Sequence, residues 1–186
     1  ATVGGSQELE QLGVEQAIEL SAGDFDSDGA GGLAVLGGDG KVTVFWSEKD
    51  RQEVLVPVQG ALCVTGGDAD GDGRADLVIG TSGAALCVVR SQGKRTWHEP
   101  ESMTAFAASH IVVGRVDADR SPDLVLTRFT SARASGGEQA GAGRGARDAV
   151  MVLWGRGAGE DGPLFSASRQ TRLPAPAAVA SAIGDL

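Results

Sequence analysis

The stretch that decides the predicted fold is Gly67-Asp68-Ala69-Asp70-Gly71-Asp72-Gly73-Arg74-Ala75-Asp76-Leu77-Val78-Ile79. Counted from Asp68, four carboxylates stand at positions 1, 3, 5 and 9. Carboxylates this close repel one another, and a hard divalent cation with oxygen ligands relieves the repulsion. Glycine in this stretch allows the tight bends that turn alternate side chains inward. The stretch therefore predicts a Ca²⁺-binding loop, called loop 2 (68–76) below. The alternative is a turn rich in Asp and Gly that holds no ion.

The position 7 residue of loop 2 and its flanks distinguish it from an EF-hand. Arg74 at position 7 is expected to offer its backbone carbonyl to the cation while its side chain faces solvent. An EF-hand requires a bidentate Glu at position 12 and helices on both sides. Position 12 here is Ile79, and the flanks 61–65 and 77–80 are short and rich in β-forming residues. Loop 2 is therefore expected to join two β-strands.

The acidic pattern occurs at further places in the chain. Loop 1 (24–32) and loop 3 (115–123) precede apolar segments, and the chain ends in Gly-Asp-Leu, which resembles the start of a fourth copy. The first positions of the copies are 24, 68, 115 and 185, which gives spacings of 44, 47 and 70 residues. A repeat of about 40–50 residues with four short strands is typical of a propeller blade.

The predicted architecture is all-β, with β-propeller blades of four antiparallel strands. About three complete blades and a truncated fourth are expected, as part of a larger ring. The predicted units are an N-terminal tail or outer strand of a preceding blade (1–13), blade 1 (14–58), blade 2 (59–104), blade 3 (105–176) and the start of a fourth blade (177–186). Closed propellers usually have four or more blades, so other chains or missing blades are expected to complete the ring.

The predicted outer strands and one insertion complete this division. The fourth strand of each blade is expected at 51–57, 95–98 and 164–173, respectively. A flexible insertion at 131–148 has no apolar periodicity and stands where a short turn between strands is expected. We interpret it as a tolerated surface insertion; the alternative is an arginine-bearing arm that meets an anionic partner.

The pattern G-D-x-D-x-D-G-x-x-D-L-x-V, followed by a turn and a V-x-V-F/W strand, resembles the FG-GAP or VCBS repeats. These repeats occur in integrin α-chain propellers and in many bacterial secreted proteins, and the resemblance covers residues 14–186. It implies that each acidic loop joins the first two strands of a blade and binds Ca²⁺ at the blade edge. In loop 2 the implied ligands are Asp68, Asp70, Asp72 and Asp76.

The resemblance implies less complete sites in the other two loops. Loop 1 carries Asp24, Asp26 and Asp28 at the matching positions, but position 9 is Gly32, so a lower affinity is expected. Loop 3 has Arg115 at position 1, where an acid is expected. An Arg–carboxylate cluster is one expectation for this loop. Its acids are therefore structural residues or ligands, namely Asp117, Asp119 and Asp123.

Composition and motifs argue against several classes of function. The formal net charge is −9, and no stripe of basic residues interleaves with aromatic residues, which argues against nucleic acid as a partner. No apolar run is long enough to suggest a membrane span. Neither His98 nor His110 belongs to a Ser/His/Asp or Cys/His constellation, so we expect no catalytic residue.

The cysteines and tryptophans have predicted places in the blades. Cys63 and Cys87 are expected on the first and third strands of blade 2, at nearly twice the ~4.8 Å strand spacing. Because a disulfide requires Cα atoms within about 7 Å, two buried thiols are expected, with a bridge to another chain as the alternative. Trp46 and Trp154 end matching strands and are expected to pack between blades. Trp97 is expected on an outer strand, exposed.

These expectations lead to a function outside the cytoplasm. We interpret the chain as a secreted Ca²⁺-binding propeller module with a structural, adhesive or ligand-binding role, located extracellularly, in the periplasm or at the cell surface. One alternative is a carbohydrate-binding lectin or a propeller lyase, for which an exposed Trp97 is the support. Another is an accessory subunit of a larger extracellular complex. The expected partners are extracellular proteins or glycans.

Overall fold

The computed structural model describes residues 14, 16–47, 50–54, 59–105, 107–128, 149–156 and 162–174. The regular structure in these residues is entirely β, which confirms the predicted all-β class. No described segment forms a helix with the length and apolarity that a bilayer crossing requires. The predicted tail 1–13, the insertion 131–148 and the predicted fourth unit 177–186 lie outside the described residues.

Three antiparallel sheets of four strands follow one another along the chain. Sheet 1 contains β1 (Ala17–Gly23), β2 (Gly32–Gly37), β3 (Val42–Ser47) and β4 (Asp50–Val54). Sheet 2 contains β5 (Ala61–Gly67), β6 (Asp76–Thr81), β7 (Ala85–Val89) and β10 (Glu101–Thr104). Between β7 and β10, strands β8 (Ser91–Gly93) and β9 (Thr96–Trp97) form a small separate sheet, called the 91–97 hairpin below. Sheet 3 contains β11 (His110–Gly114), β12 (Asp123–Arg128), β13 (Ala149–Leu153) and β14 (Gln170–Pro174).

Each sheet is a meander in which the acidic loop connects the first two strands. Loop 1 joins β1 to β2, loop 2 joins β5 to β6, and loop 3 joins β11 to β12. The registers agree at these ends, because Gly23 pairs with Gly32, Gly67 with Asp76, and Gly114 with Asp123. Loop 2 therefore lies between two strands, as its flanking residues predict.

The inner strand β6 of sheet 2 is buried on both faces, and this burial explains the unbroken apolar run Leu77–Ile79. All six residues of β6 are buried. One core cluster contains residues of sheets 1 and 2, among them Leu36, Val44 and Ile79. A second contains residues of sheets 2 and 3, among them Val78 and Leu126. Because successive strand residues point to opposite faces, neighbours in β6 contribute to different clusters.

The first strands of neighbouring sheets approach each other closely. The N–H of Val64 in β5 donates to Glu19 Oε2 of β1 at 2.8 Å, and the N–H of Gly66 donates to Ser21 Oγ at 2.9 Å. A Cβ atom on Gly67 would lie 2.7 Å from the Cβ of Val113 in β11. Glycine at position 67 is therefore required by the approach of sheet 3 to sheet 2.

Gly67→Ala is expected to lower the free energy of unfolding by about 1–3 kcal/mol, because the added methyl group pushes two packed strands apart. Gly31→Ala is the matched control, since a Cβ there meets no atom within 4 Å and Gly31 is exposed. Urea unfolding of both variants measures the difference. Equal stability of the two variants would contradict the close approach of β5 and β11.

The predicted outer strand of blade 2 at 95–98 is wrong. Lys94 and Arg95 both adopt positive φ, 52° and 65°, and turn the chain back so that β9 pairs with β8. The fourth strand of sheet 2 is instead β10, which pairs with β7. In sheet 3 the outer strand begins only at Gln170, because Leu164 and Phe165 before it pack into the core.

The hairpin also overturns the predicted exposure of Trp97. This side chain is partly buried, and its ring stacks on Trp46 at 6.3 Å between centroids and lies 6.1 Å from the ring of Phe25. Trp46 thus packs between sheet 1 and the hairpin. Trp154 is partly buried, and its Nε1–H donates to Thr171 Oγ1 at 3.0 Å.

The two cysteines are free and buried, as expected. Burial raises the pKa of the Cys63 thiol to about 12, and the charge of Glu19 contributes in the same direction. Burial also raises the pKa of the Cys87 thiol. Both therefore remain protonated at neutral pH and pack as small apolar groups.

Candidate metal centres

Loop 2 brings three carboxylates together. Ligand oxygens of Asp68, Asp70 and Asp76 all lie within 4.8 Å of one another. Ca²⁺ binds oxygen at about 2.3–2.6 Å, so two ligands on opposite sides of the ion lie about 4.6–5.2 Å apart. The spacing of the three oxygens therefore fits a single Ca²⁺ among them. Backbone N–H groups hold Asp68 in place, since Gly71 donates to its Oδ1 at 2.7 Å and Gly73 to its Oδ2 at 3.0 Å.

Asp76 is the buried member of this group. Its side chain is inaccessible to solvent and accepts two backbone hydrogen bonds, from Ala69 N–H at 2.9 Å and from Ser91 N–H at 2.8 Å. The bond from Ser91 ties loop 2 to the start of the 91–97 hairpin. Burial raises the pKa of Asp76 to about 7, although both hydrogen bonds act in the opposite direction. A carboxylate held in this way is short of compensating positive charge.

Asp70 experiences the same excess of negative charge. Burial and then the charge of Asp72 raise its pKa above the ordinary value. The nearest ion-pair partner is Arg90, whose Nη1 is 3.7 Å from Asp70 Oδ2. Arg90 also donates from Nη2 to Glu101 Oε1 at 2.7 Å. The guanidinium therefore compensates Asp70 only in part.

The prediction that the Arg74 side chain faces solvent is wrong. Its guanidinium forms an ion pair with Asp72, and its Nε donates to the carbonyl of Ser91 at 3.4 Å. Asp72 Oδ1 accepts the N–H of Arg74 at 2.9 Å. Asp72 is not one of the three clustered carboxylates. Its role as a metal ligand stays a prediction, as does that of the Arg74 carbonyl.

Loop 1 brings together Asp24, Asp26 and Asp28, whose ligand oxygens also lie within 4.8 Å. Asp24 accepts the N–H groups of Asp28 at 3.2 Å and Gly29 at 3.1 Å, in the manner of Asp68 in loop 2. The buried fourth carboxylate is missing, because position 9 is Gly32. Loop 1 has an arginine beside its acids: Arg95 Nε donates to Asp26 Oδ2 at 2.9 Å.

Loop 3 keeps the buried aspartate without a cluster around it. Asp123 is buried, accepting Val116 N–H at 2.8 Å and Gly155 N–H at 3.0 Å, which matches the arrangement at Asp76. Asp117 and Asp119 are exposed, and each accepts a backbone N–H two residues ahead. Within the described residues, loop 3 forms no group of three acids that could hold a metal ion.

The predicted Arg–carboxylate cluster in loop 3 is wrong. Arg115 is exposed, and no ion pair joins it to the three acids of its loop, all of which the structure describes. The physical reason is that backbone N–H groups already donate hydrogen bonds to the acids of this loop. These donors lie within the loop and at Gly155, shortly after β13. Asp123 supports the backbone of the loop in this way, and whether it or the other two acids bind a metal ion stays a prediction.

Sequence reasoning missed the two arginines that border loops 1 and 2. Aligning β3, β7 and β13 by their register with β2, β6 and β12 puts Arg90 at the position of Trp46 and Trp154. The sequence already shows an arginine in blade 2 where the other two blades have tryptophan, and a cation at that position predicts acidic neighbours. Arg95 carried no comparable signal, because its partner Asp26 is 69 residues away.

The two histidines have polar neighbours. His98 Nδ1 lies 3.1 Å from Gln92 Nε2, and His110 Nδ1 lies 3.5 Å from Glu19 Oε1. The expectation that neither is catalytic stays a prediction.

Comparison of the chain with protein-family models and with curated proteins finds no match.

Proposed function

We propose that the protein is a Ca²⁺-stabilised β-propeller module of the FG-GAP or VCBS type, with a structural, adhesive or ligand-binding role outside the cytoplasm. The observation that carries the proposal is the carboxylate group of loop 2, in which the buried Asp76 shares a site with Asp68 and Asp70. A hard dication supplies the missing positive charge with oxygen ligands that are already gathered. Loop 1 is proposed as a weaker site.

The role of the cation in this proposal is structural. Loop 2 connects β5 to β6, and Asp76 accepts a hydrogen bond from Ser91, the first residue of β8 in the 91–97 hairpin. An ion among the carboxylates would therefore hold β5, β6 and the start of the 91–97 hairpin together. Removing the ion would leave mutual repulsion among acids whose positions are imposed by the strands. Adhesion or ligand binding would then depend on the ion, because the ion keeps loop 2 and the strands beside it ordered.

The propeller arrangement is supported by the way one sheet covers the next. Leu20, Val64 and Ile111 occupy equivalent places, since they pair with Val35, Ile79 and Leu126, respectively. Val64 and Ile111 are each 2% exposed, whereas Leu20 is 62% exposed. The position is thus buried where a sheet precedes it in the described chain. We infer that a further sheet, from this chain or another, would cover Leu20 in a complete ring.

The lectin or lyase alternative has lost its support. It depended on an exposed Trp97, and this side chain packs against Trp46 and Phe25 instead. The accessory-subunit alternative is compatible with the exposed Leu20, because another chain could provide the covering sheet. Sedimentation at several protein concentrations distinguishes these cases: a monomer throughout argues against a ring shared between chains.

Calorimetric unfolding with Ca²⁺ and with a chelator tests the proposal. Ca²⁺ at 100 times its Kd is expected to stabilise the wild type by about 2.7 kcal/mol, because the ion binds the folded state. Asp68→Asn should lose most of this response, since it removes one ligand charge and keeps the shape. Asp39→Asn is the matched control, because Asp39 is exposed in the turn between β2 and β3. A Tm that does not change with chelator would reject the structural ion.

A further inference from the structure

The 91–97 hairpin extends from sheet 2 onto loop 1 of sheet 1. Ser91 Oγ donates to the carbonyl of Phe25, and Lys94 N–H donates to the carbonyl of Asp26 at 3.0 Å. These bonds fix the backbone of loop 1 at its second and third positions. Loop 1 is thus held by residues far along the chain, in addition to its own turns.

Arg95 completes the contact at a shielded carboxylate. Its Nε donates to Asp26 Oδ2 at 2.9 Å, and the side chain of Asp26 is 8% exposed. The guanidinium carbon also lies 5.3 Å from the centroid of the Trp46 ring, within the range of a cation–π contact. A charge-assisted bond to a carboxylate with little access to water is among the stronger side-chain interactions.

The backbone that presents Arg95 is unusual. Two-residue hairpin turns with positive φ at both central residues strongly favour Asn-Gly, because bulky side chains are strained there. Here the central residues are Lys94 and Arg95, with φ of 52° and 65°. Strained backbone persists where the surroundings over-determine it, and here the surroundings include the bonds of this turn to Asp26.

The equivalent acid of loop 2 has no such partner. Asp70 matches Asp26 in position, and its nearest arginine, Arg90, is 3.7 Å away and hydrogen-bonded to Glu101. Loop 2 also has the buried Asp76, where loop 1 has Gly32. The two loops therefore differ in the way their negative charge is compensated.

We propose that Arg95 is the resident cation of loop 1: it takes the place at Asp26 that a divalent cation would take. Loop 1 then stays ordered without metal, and a divalent cation binds there only by displacing the guanidinium. The inference rests on the proposed function where it assigns the divalent cation to loop 2. Arg95 is in this sense an affinity-determining residue contributed by a neighbouring sheet.

Two variants of the same turn separate this role from general electrostatics. Arg95→Gln and Lys94→Gln each remove one positive charge, but Lys94 contacts Asp26 through its backbone N–H. In chelator, Arg95→Gln is expected to lower Tm and to change the emission of Trp46 and Trp97, because Asp26 loses its partner. Lys94→Gln should leave both close to the wild type. Equal behaviour of the two variants in chelator overturns the proposal.

Ca²⁺ titration calorimetry gives the second readout, with loop 2 silenced by Asp68→Asn. In that background Arg95→Gln should bind Ca²⁺ roughly ten-fold more tightly, which is the size of one charge-assisted bond. Lys94→Gln should change the affinity by less than about three-fold, as expected for an exposed charge. If Arg95→Gln gains no affinity, the proposal is overturned, whether or not the wild type binds Ca²⁺. If the wild type with loop 2 intact binds none, the proposed function fails separately.

Discussion

Asp76→Ala is expected to lower the free energy of unfolding by about 2–6 kcal/mol at pH 5 in chelator, because two backbone N–H groups lose their acceptor at once. The donors belong to Ala69 and Ser91, both of which are buried, so water cannot easily replace the carboxylate. The same variant should abolish the stabilisation by Ca²⁺. Urea unfolding with and without Ca²⁺ measures both effects.

Asp123→Ala is the matched control for this prediction. Asp123 is equally buried and accepts the corresponding two bonds from Val116 and Gly155, but it lies in a loop without a described group of three acids. It should lose comparable stability in chelator and keep the Ca²⁺ response of the wild type. A normal Ca²⁺ response in Asp76→Ala would show that the buried aspartate of loop 2 serves only the backbone.

The stability contributed by Asp76 is expected to fall as pH rises from about 4 to about 7 in chelator. The ordinary pKa of this side chain is 3.8, and burial raises it to about 7 in the folded protein. Between these values the folded state retains a proton that the unfolded state has released, so raising the pH favours unfolding. The full interval corresponds to at most about 4 kcal/mol, since one pKa unit is worth about 1.4 kcal/mol.

The measurement is the difference in unfolding free energy between the wild type and Asp76→Asn across pH 4–8. The asparagine cannot titrate, and taking the difference reduces the contribution of other acids, including Asp70, whose pKa is also raised. Saturating Ca²⁺ should remove the fall, because a bound dication favours the charged carboxylate. A difference that stays flat in chelator would contradict the burial-driven shift.

In these two predictions Asp76 contributes both to folding and to the proposed cation site. Asp76 is buried where it accepts hydrogen bonds from two backbone N–H groups, and the same burial raises its pKa. The 91–97 hairpin starts at one of those bonds, at Ser91, and then reaches loop 1. Because Ser91 contacts both Asp76 and Phe25, a substitution of Asp76 is expected to alter the conformation of loop 1 as well.

The acidic loops and the strands around them could be predicted because their signals are local. A carboxylate at every second position needs only nine residues to be recognised, and the apolar runs beside the loops specify strands by their own composition. The spacing of the copies likewise indicated sheets of four strands. The loop 2 cluster of Asp68, Asp70 and Asp76 follows from that local pattern.

What the tertiary structure alone decided is which charges meet across the chain. Arg95 reaches Asp26 because a strained turn reverses the chain where an outer strand was expected, and Trp97 is covered for the same reason. The buried Asp76 and Asp123 each depend on an N–H group from a distant segment, namely Ser91 at the start of β8 and Gly155 shortly after β13. Contacts between residues far apart in sequence arise only when the sheets pack, and for that reason spacing and composition determined the loops but not their partners.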